Sequence, residues 1–144
     1  MIVVDASVAI KWVLEEDGSD LAWAVQREDM TAPSLWLVEA ASALWRRVRM
    51  GDITGAEATE FLADLQEAPV DTTPLEHDLP AALTLAHLLN HPPYDCLYLA
   101  AAIRFGTFVV TSDRRFADAA RRNALGDRVR LLGIDYPAAS GSNS

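Results

Sequence analysis

The 144-residue sequence has few features of secreted or membrane proteins. Its single cysteine, Cys96, leaves no disulfide within the chain, so a reducing cytosol is the favoured compartment. It contains no run of about 18 apolar residues, the length that a membrane-spanning helix needs. The first residues, MIVVDASVAIKWVL, have no basic segment, and Asp5 and Lys11 interrupt the apolar stretch, unlike a signal peptide. We therefore expect a soluble cytoplasmic protein with no membrane partner.

Positive charge is also scarce. The net charge is −9, and Lys11 is the only lysine. This balance argues against a general nucleic-acid binder, which usually carries a basic surface. The charge is uneven, however, because residues 1–90 hold 16 acids and 5 bases whereas residues 91–144 hold 5 acids and 7 bases. The remaining bases are arginines, whose planar guanidinium groups match phosphate geometry, so a local phosphate-binding surface stays possible.

Strand and helix patterns alternate along the chain. Short β-branched runs predict strands at residues 2–4, 30–32, 70–72, 107–111 and 129–132. Apolar periodicity predicts helices at residues 6–14, 21–27, 34–50, 54–67, 75–89, 94–105 and 114–123. This alternation predicts an α/β domain with a mainly parallel sheet. We expect one domain over residues 1–135 and a disordered, Ala/Ser/Gly-rich tail over residues 136–144.

Two acids directly follow predicted strands. Asp5 comes after Ile-Val-Val, and Asp113 comes shortly after Thr-Phe-Val-Val-Thr. Ligands bind at the carboxyl ends of the strands in open α/β sheets. If the two strands are neighbours, both carboxylates lie at one edge. Each acid alone is explained equally well as a helix cap or an Asx turn.

Two further acids interrupt apolar helices. Glu39 lies within Leu-Trp-Leu-Val-Glu-Ala-Ala, and Asp95 begins a helix whose only other charge is Arg104. A buried carboxylate without a partner costs several kcal/mol or loses its charge. The simpler alternatives are an exposed Glu39 that pairs within its own helix and a first-turn Asp95 that interacts with the helix dipole.

Together these acids predict a metal site. Four converging carboxylates are tolerated only by protonation or by a bound cation. Oxygen ligands without a Cys or His cluster favour Mg²⁺ or Mn²⁺. Such an ion suits phosphoryl chemistry, because it polarises the phosphodiester and lowers the pKa of bound water.

These motifs carry a family likeness. Asp5-Ala-Ser7 after an apolar strand, Glu39 in the second major helix, Tyr94-Asp95-(x₄)-Ala100 and Thr111-Ser112-Asp113 together resemble the PIN-domain ribonucleases. Within them the chain looks like the VapC toxins of toxin–antitoxin pairs, over residues 1 to about 133. Each motif is short, and the specificity comes from their order and spacing.

The resemblance implies a three-layer α/β/α domain with endoribonuclease activity that depends on Mg²⁺ or Mn²⁺. It also implies a cognate antitoxin and frequent homodimerisation. By position, Asp5, Glu39, Asp95 and Asp113 match the acidic catalytic and metal site, with Asp5 and Asp95 as the main ligands. Ser7 and Thr111 match accompanying hydroxyl positions. Three arginines near the motif acids are candidate phosphate contacts, or else solvated surface residues: Arg46, Arg114 and Arg115.

Two alternative functions remain at this point. A non-catalytic interaction or RNA-binding module would keep the fold, but would have no reason to hold four repelling charges together. A phosphatase with Asp5 as nucleophile would need a second acid two positions on, where Ser7 stands, and a downstream lysine.

A zinc site at His87 and His91 lacks an evident third ligand. We interpret Cys96 as a small buried residue.

Overall fold

The computed structural model describes residues 1–137. The predicted tail therefore lies outside the described residues from residue 138 onward. The strands are β1 to β5, in order Ile2–Val4, Met30–Pro33, Val70–Thr73, Val109–Thr111 and Val129–Leu131. The α-helices are α1 to α7, in order Ala6–Ala9, Ser19–Val25, Leu35–Arg49, Gly55–Gln66, Leu79–Leu89, Pro93–Arg104 and Arg114–Arg122. Short 3-10 helices cover Ile10–Trp12, Leu75–His77 and Gly126–Arg128.

The five strands form one parallel sheet in the order β3-β2-β1-β4-β5. β1 is central, and its Val3 and Val4 pair with Val109 and Val110 of β4. From β1 the chain builds the sheet outward through β2 and β3, and then returns to the other side of β1 for β4 and β5. The order therefore reverses between β1 and β4, the kind of position where parallel α/β sheets bind ligands.

The central strands form the middle of the hydrophobic core. All residues of β1 and β4 are buried, as expected for parallel strands with both faces covered by helices. Helix α6 is almost wholly buried from Cys96 to Ala102 and packs against β1, β2 and β4. Its run of small residues allows the helix to lie close to the sheet. Asp95, in the first turn of this helix, is thereby held half-buried.

The predicted α/β architecture with a parallel sheet is confirmed. Two predicted helices are interrupted, however. The segment predicted at residues 6–14 is α1 followed by the 3-10 helix Ile10–Trp12, and the segment at 75–89 begins with the 3-10 helix Leu75–His77. The strand predicted at 107–111 is confined to Val109–Thr111. Over three residues, α and 3-10 periodicity are too similar for the pattern to separate them.

The packed chain extends at least to Tyr136, one residue beyond the predicted domain end. Its ring lies 5.8 Å from that of Phe108, and its carbonyl accepts a hydrogen bond from the Gly133 amide at 2.8 Å. Among the described residues, none of the helices is both long enough and apolar enough to cross a membrane.

Candidate functional site

Asp5 and Asp113 both lie at the carboxyl edge of the sheet, each after one of two neighbouring strands. Asp5 follows β1 directly, and Asp113 lies two residues after β4, the strand paired with β1. The Asp5 amide donates to the Val110 carbonyl at 3.3 Å, so the pairing of the two strands continues as far as Asp5. The condition stated for the two strand ends, that their strands are neighbours in the sheet, is met.

The Asp5 side chain caps helix α1. Its Oδ1 accepts hydrogen bonds from the Ser7 hydroxyl at 2.5 Å, the Ser7 amide at 3.1 Å and the Val8 amide at 3.4 Å. The residue is only 3% exposed. The capping interpretation of Asp5 is therefore correct for one oxygen of its carboxylate, and it does not exclude a second role for the other.

Hydroxyl groups connect the two strand ends. The Ser7 hydroxyl accepts from the Ser112 amide at 2.8 Å and lies 3.3 Å from the Thr111 hydroxyl oxygen. That oxygen in turn accepts from the Asp113 amide at 3.0 Å. Asp113 caps α7, since its Oδ1 accepts from the amides of Arg115 and Phe116 at 3.0 and 3.4 Å. The hydroxyl groups of Ser7 and Thr111 thus lie between Asp5 and Asp113.

Glu39 reaches the same edge from helix α3. Its carboxylate Oε1 accepts a hydrogen bond of 2.5 Å from the hydroxyl of Tyr98 on α6. Burial is the main reason why the pKa of Glu39 is raised, and the Tyr98 hydrogen bond opposes the shift. The sequence pattern did not identify Tyr98. A tyrosine in an otherwise apolar helix was the available signal, because a buried phenol needs a hydrogen-bond partner.

Asp95 enters the site from the first turn of α6. Pro93 fits the helix start because a missing amide hydrogen costs nothing there, and the first-turn acid interacts favourably with the helix dipole. The Oδ2 atom of Asp95 lies 2.6 Å from Nε2 of His91. His91 is a second residue that the sequence interpretation missed. Its spacing from His87 drew attention to zinc, whereas its actual partner lies four residues later.

The four acids line one pocket of about 420 Å³. The complete lining is Asp5, Ala6, Ser7, Ile10, Lys11, Glu16, Glu39, Ala43, Arg46, Asp95, Ser112 and Asp113. The proximity of the charges is visible in their effects on one another. Burial raises the pKa of Asp5 from 3.8 to about 7, and the charges of Asp95 and Glu39 add to the rise. Burial also raises the pKa of Asp95, with a further contribution from Asp113.

The donor set fits a hard divalent cation. In Asp5, Glu39, Asp95 and Asp113 the hydrogen bonds described above all involve a single carboxylate oxygen. Each ionised carboxylate retains oxygen lone pairs that can still bind a ligand. Carboxylate oxygens without cysteine suit Mg²⁺ or Mn²⁺. A cation would also relieve the mutual repulsion that adds to the effect of burial on the pKa values of Asp5, Glu39 and Asp95.

Basic groups are placed unequally around the pocket. Arg46 lies in its lining and lowers the pKa of Glu39, although burial outweighs that effect. Arg114 instead lines a neighbouring cavity of about 270 Å³ that shares Lys11 and Ser112 with the acidic pocket. Arg115 is exposed and contributes its backbone amide to the Asp113 cap. Of the three predicted phosphate contacts, Arg46 is the one that lines the acidic pocket.

Lys11 is a pocket residue that the sequence patterns did not select. Its ammonium donates to Glu16 Oε1 at 3.2 Å and to the Asp17 carbonyl at 2.7 Å. Lys11 is the only lysine of the chain and follows Asp5 by six residues. Its proximity in sequence to a predicted site residue could therefore have identified it.

Comparisons with known proteins find similar chains. A family model described as "PIN domain" matches residues 2–122. The chain is 31% identical over 121 residues to "Ribonuclease VapC3" of Pyrobaculum aerophilum, an alignment that covers 81% of this chain and 92% of that protein. It is also similar to the crystal structure of PAE2754 from Pyrobaculum aerophilum. The TM-score is 0.64 and the identity 28%, over 82% of this chain and 78% of the other.

Proposed function

The chain belongs to the PIN-domain family, and on that premise we propose that it is a metal-dependent endoribonuclease, the toxin of a type II toxin–antitoxin pair. The observation that carries the proposal is the pocket in which four carboxylates from four elements converge. Such a concentration of acids is a liability for stability unless a cation binds there. The likeness to a protein named as a VapC ribonuclease supports RNA as the substrate class.

We assign Asp5 and Asp95 as the principal metal ligands, with Glu39 and Asp113 completing the site. A bound Mg²⁺ or Mn²⁺ would supply Lewis-acid polarisation of the phosphodiester and a lowered pKa of the attacking water. Asp5 is held by three hydrogen bonds on its Oδ1 and Asp95 by His91 on its Oδ2. Both side chains are therefore oriented before any ligand arrives, which reduces the reorganisation that binding requires.

The protein groups have separate tasks in this reaction. Glu39 or Asp113 orients the attacking water and accepts its proton as the water oxygen bonds to phosphorus and the bond to the leaving oxygen breaks. Tyr98 holds Glu39 in place through its hydroxyl. Ser7 and Thr111 hold the two strand ends together. Arg46, which lines the acidic pocket, binds the phosphate, and Arg114 and Arg115 contact neighbouring phosphates.

Two protein partners belong to the proposal. The toxin is neutralised by a cognate antitoxin, as the VapC likeness implies, and it acts in the cytoplasm. We also propose that it forms a homodimer. Exposed apolar side chains on α5 and at the end of α6 support an interface between copies there: Leu79, Leu83, Leu88, Ile103 and Phe105.

The test is RNA cleavage by purified, antitoxin-free protein. A panel of structured and unstructured RNAs is incubated with Mg²⁺, with Mn²⁺ or with EDTA, and the Asp5→Asn variant is assayed beside the wild-type chain. We expect cleavage that requires the metal and is lost in the variant. Equal cleavage by Asp5→Asn would contradict the assigned mechanism. A well-folded wild-type protein that cleaves no RNA but binds it would identify a non-catalytic module.

A further inference from the structure

His91 lies next to the acidic pocket but outside the four-acid set. Its Nε2 is 2.6 Å from Asp95 Oδ2. The imidazole is stacked on Phe116, with ring centroids 5.4 Å apart and planes inclined by 17°. Phe116 is fully buried in the core, and the His91 side chain is only 11% exposed. The ring is therefore fixed in orientation, with one nitrogen directed at a proposed metal ligand.

His91 also forms a possible ligand group with two of the acids. One imidazole nitrogen of His91 and one carboxylate oxygen each of Asp95 and Asp113 all lie within 4.8 Å of one another. Two atoms bound to one ion at about 2.1 Å are separated by at most about 4.2 Å. If the hydrogen bond between His91 and Asp95 gives way to the ion, modest side-chain shifts would bring all three groups onto one cation. Within residues 1–137 this is the one such group of His, Cys, Asp or Glu ligands found.

We propose that His91 gives the divalent cation at Asp95 and Asp113 an imidazole ligand, which makes this position select a transition-metal ion such as Mn²⁺ over Mg²⁺. The inference rests on the proposed function and specifies which metal that site prefers. Mg²⁺ is bound through oxygen ligands and water, whereas imidazole nitrogen is a good ligand for first-row transition metals. Mn²⁺ accepts the carboxylates of this site as well.

The competing role for His91 is to hold Asp95 by a hydrogen bond alone. Such a partner orients the carboxylate without touching the ion. The two roles predict different results. Loss of a nitrogen ligand weakens Mn²⁺ binding selectively, whereas loss of an orienting hydrogen bond weakens Mn²⁺ and Mg²⁺ alike.

The experiment uses the full chain without a histidine tag. Mn²⁺ affinity is measured from the free-ion electron paramagnetic resonance signal, and Mg²⁺ affinity from its competition with Mn²⁺. Wild type is compared with His91→Ala and His91→Gln, and with His87→Ala as the matched control, since His87 is exposed on α5 and outside the ligand group. We expect His91→Ala to weaken Mn²⁺ binding at least about tenfold and Mg²⁺ binding at most about twofold.

Pulsed electron paramagnetic resonance of the Mn²⁺-loaded protein gives a second readout. A directly bound imidazole nitrogen couples to the electron spin. We expect this coupling in wild type and His87→Ala, and its absence in both His91 variants. A wild-type spectrum without nitrogen coupling, or equal losses of Mn²⁺ and Mg²⁺ affinity in His91→Ala, would overturn the proposal. So would restoration of the Mn²⁺ preference by His91→Gln, which can donate a hydrogen bond.

Parallel assays separate this inference from the function on which it rests. RNA cleavage by the wild-type chain with Mg²⁺ alone tests the ribonuclease proposal. RNA cleavage without nitrogen coupling would support the ribonuclease proposal and contradict the proposal that His91 is a metal ligand. Nitrogen coupling without RNA cleavage would support the His91 ligand and contradict the ribonuclease proposal. The wild-type spectrum decides the role of His91 even if His91→Ala fails to fold.

Discussion

Asp5 and Asp78 are equally buried, at 3% exposure, but their surroundings are opposite. Both oxygens of Asp78 accept from the guanidinium of Arg104, at 2.8 and 3.0 Å. Asp5 has no such partner in the described part of the chain. Burial raises its pKa to about 7, and the carboxylate charges of Asp95 and Glu39 add to the rise. Burial alone therefore does not mark a functional acid. The informative feature is a buried acid whose neighbours are also acids.

The largest expected difference between the two aspartates is in catalysis. We expect Asp5→Asn to reduce RNA cleavage by about 10³-fold, because it removes a charge that holds the cation. Asp78→Asn should stay within about tenfold of wild type, since Asp78 is not part of the pocket lining. Initial rates at saturating Mg²⁺ check this, with circular dichroism as the control for folding. Similar losses in both variants would mean that Asp5 is as purely structural as Asp78.

A second substitution makes Asp78 resemble Asp5. Arg104→Ala leaves a buried carboxylate without its basic partner, and we expect a loss of about 3 kcal/mol in the free energy of unfolding. Asp78→Ala should cost less, because the remaining Arg104 side chain is 40% exposed and can turn to water. Urea denaturation of both variants measures the difference. A larger loss of unfolding free energy in Asp78→Ala than in Arg104→Ala would contradict the claim that the unpaired buried carboxylate is the more costly of the two.

The pH dependence of stability should also distinguish the two acids. In EDTA, folded Asp5 keeps its proton up to about pH 7, whereas the unfolded chain releases it near 3.8. The folded state therefore holds more protons between these values, and its stability falls as pH rises through this range. Between about pH 5 and about pH 8 we expect a loss of roughly 2 to 3 kcal/mol from Asp5.

Glu39 and Asp95 contribute with the same sign, because their pKa values are also raised. Denaturation of wild type and Asp5→Asn across this range, both in EDTA, is the measurement. The Asp5 part of the slope should disappear in the variant, and Asp78→Asn should keep it. A wild-type slope of the opposite sign would refute the assigned pKa shift.

The smallest expected effect concerns the Ser7 hydroxyl, which donates a hydrogen bond to Asp5 where Asp78 has an arginine. Ser7→Ala removes hydrogen bonds to Asp5 Oδ1 and from the Ser112 amide, but keeps the backbone amide bond to Asp5. We expect a loss of about 1 kcal/mol in unfolding free energy. Ser7→Thr retains a hydroxyl and serves as the matched control in urea denaturation. Equal stability of Ser7→Ala and wild type would show that the hydroxyl adds nothing.

The fold was largely predictable from local patterns. Parallel strands buried on both faces are short β-branched runs, and the acids after β1 and β4 could be recognised because each follows such a run. The adjacency of those strands is not a local property. The adjacency of β1 and β4 depends on the order of the strands in the sheet. From the sequence alone, we could give it only as a condition for bringing the two acids together.

The supporting residues of the site were less predictable. Tyr98 meets Glu39 across 59 positions of sequence, a contact that exists only once α3 and α6 both pack on the sheet. Phe116, which fixes the His91 ring, comes from the helix after β4. No local periodicity encodes either contact. The acids could be identified because unfavourable charges in apolar segments are conspicuous, whereas their partners look like ordinary core or surface residues.

The hydrogen bonds that hold the four acids also bear on which ion fits between them. Asp5, Glu39, Asp95 and Asp113 each form hydrogen bonds with neighbouring residues. Ca²⁺ takes about six to eight ligands in flexible geometry, at longer distances than the roughly six ligands of Mg²⁺. Because side chains that are held in place rearrange less around a larger ion, we expect the pocket to bind Mg²⁺ in preference to Ca²⁺.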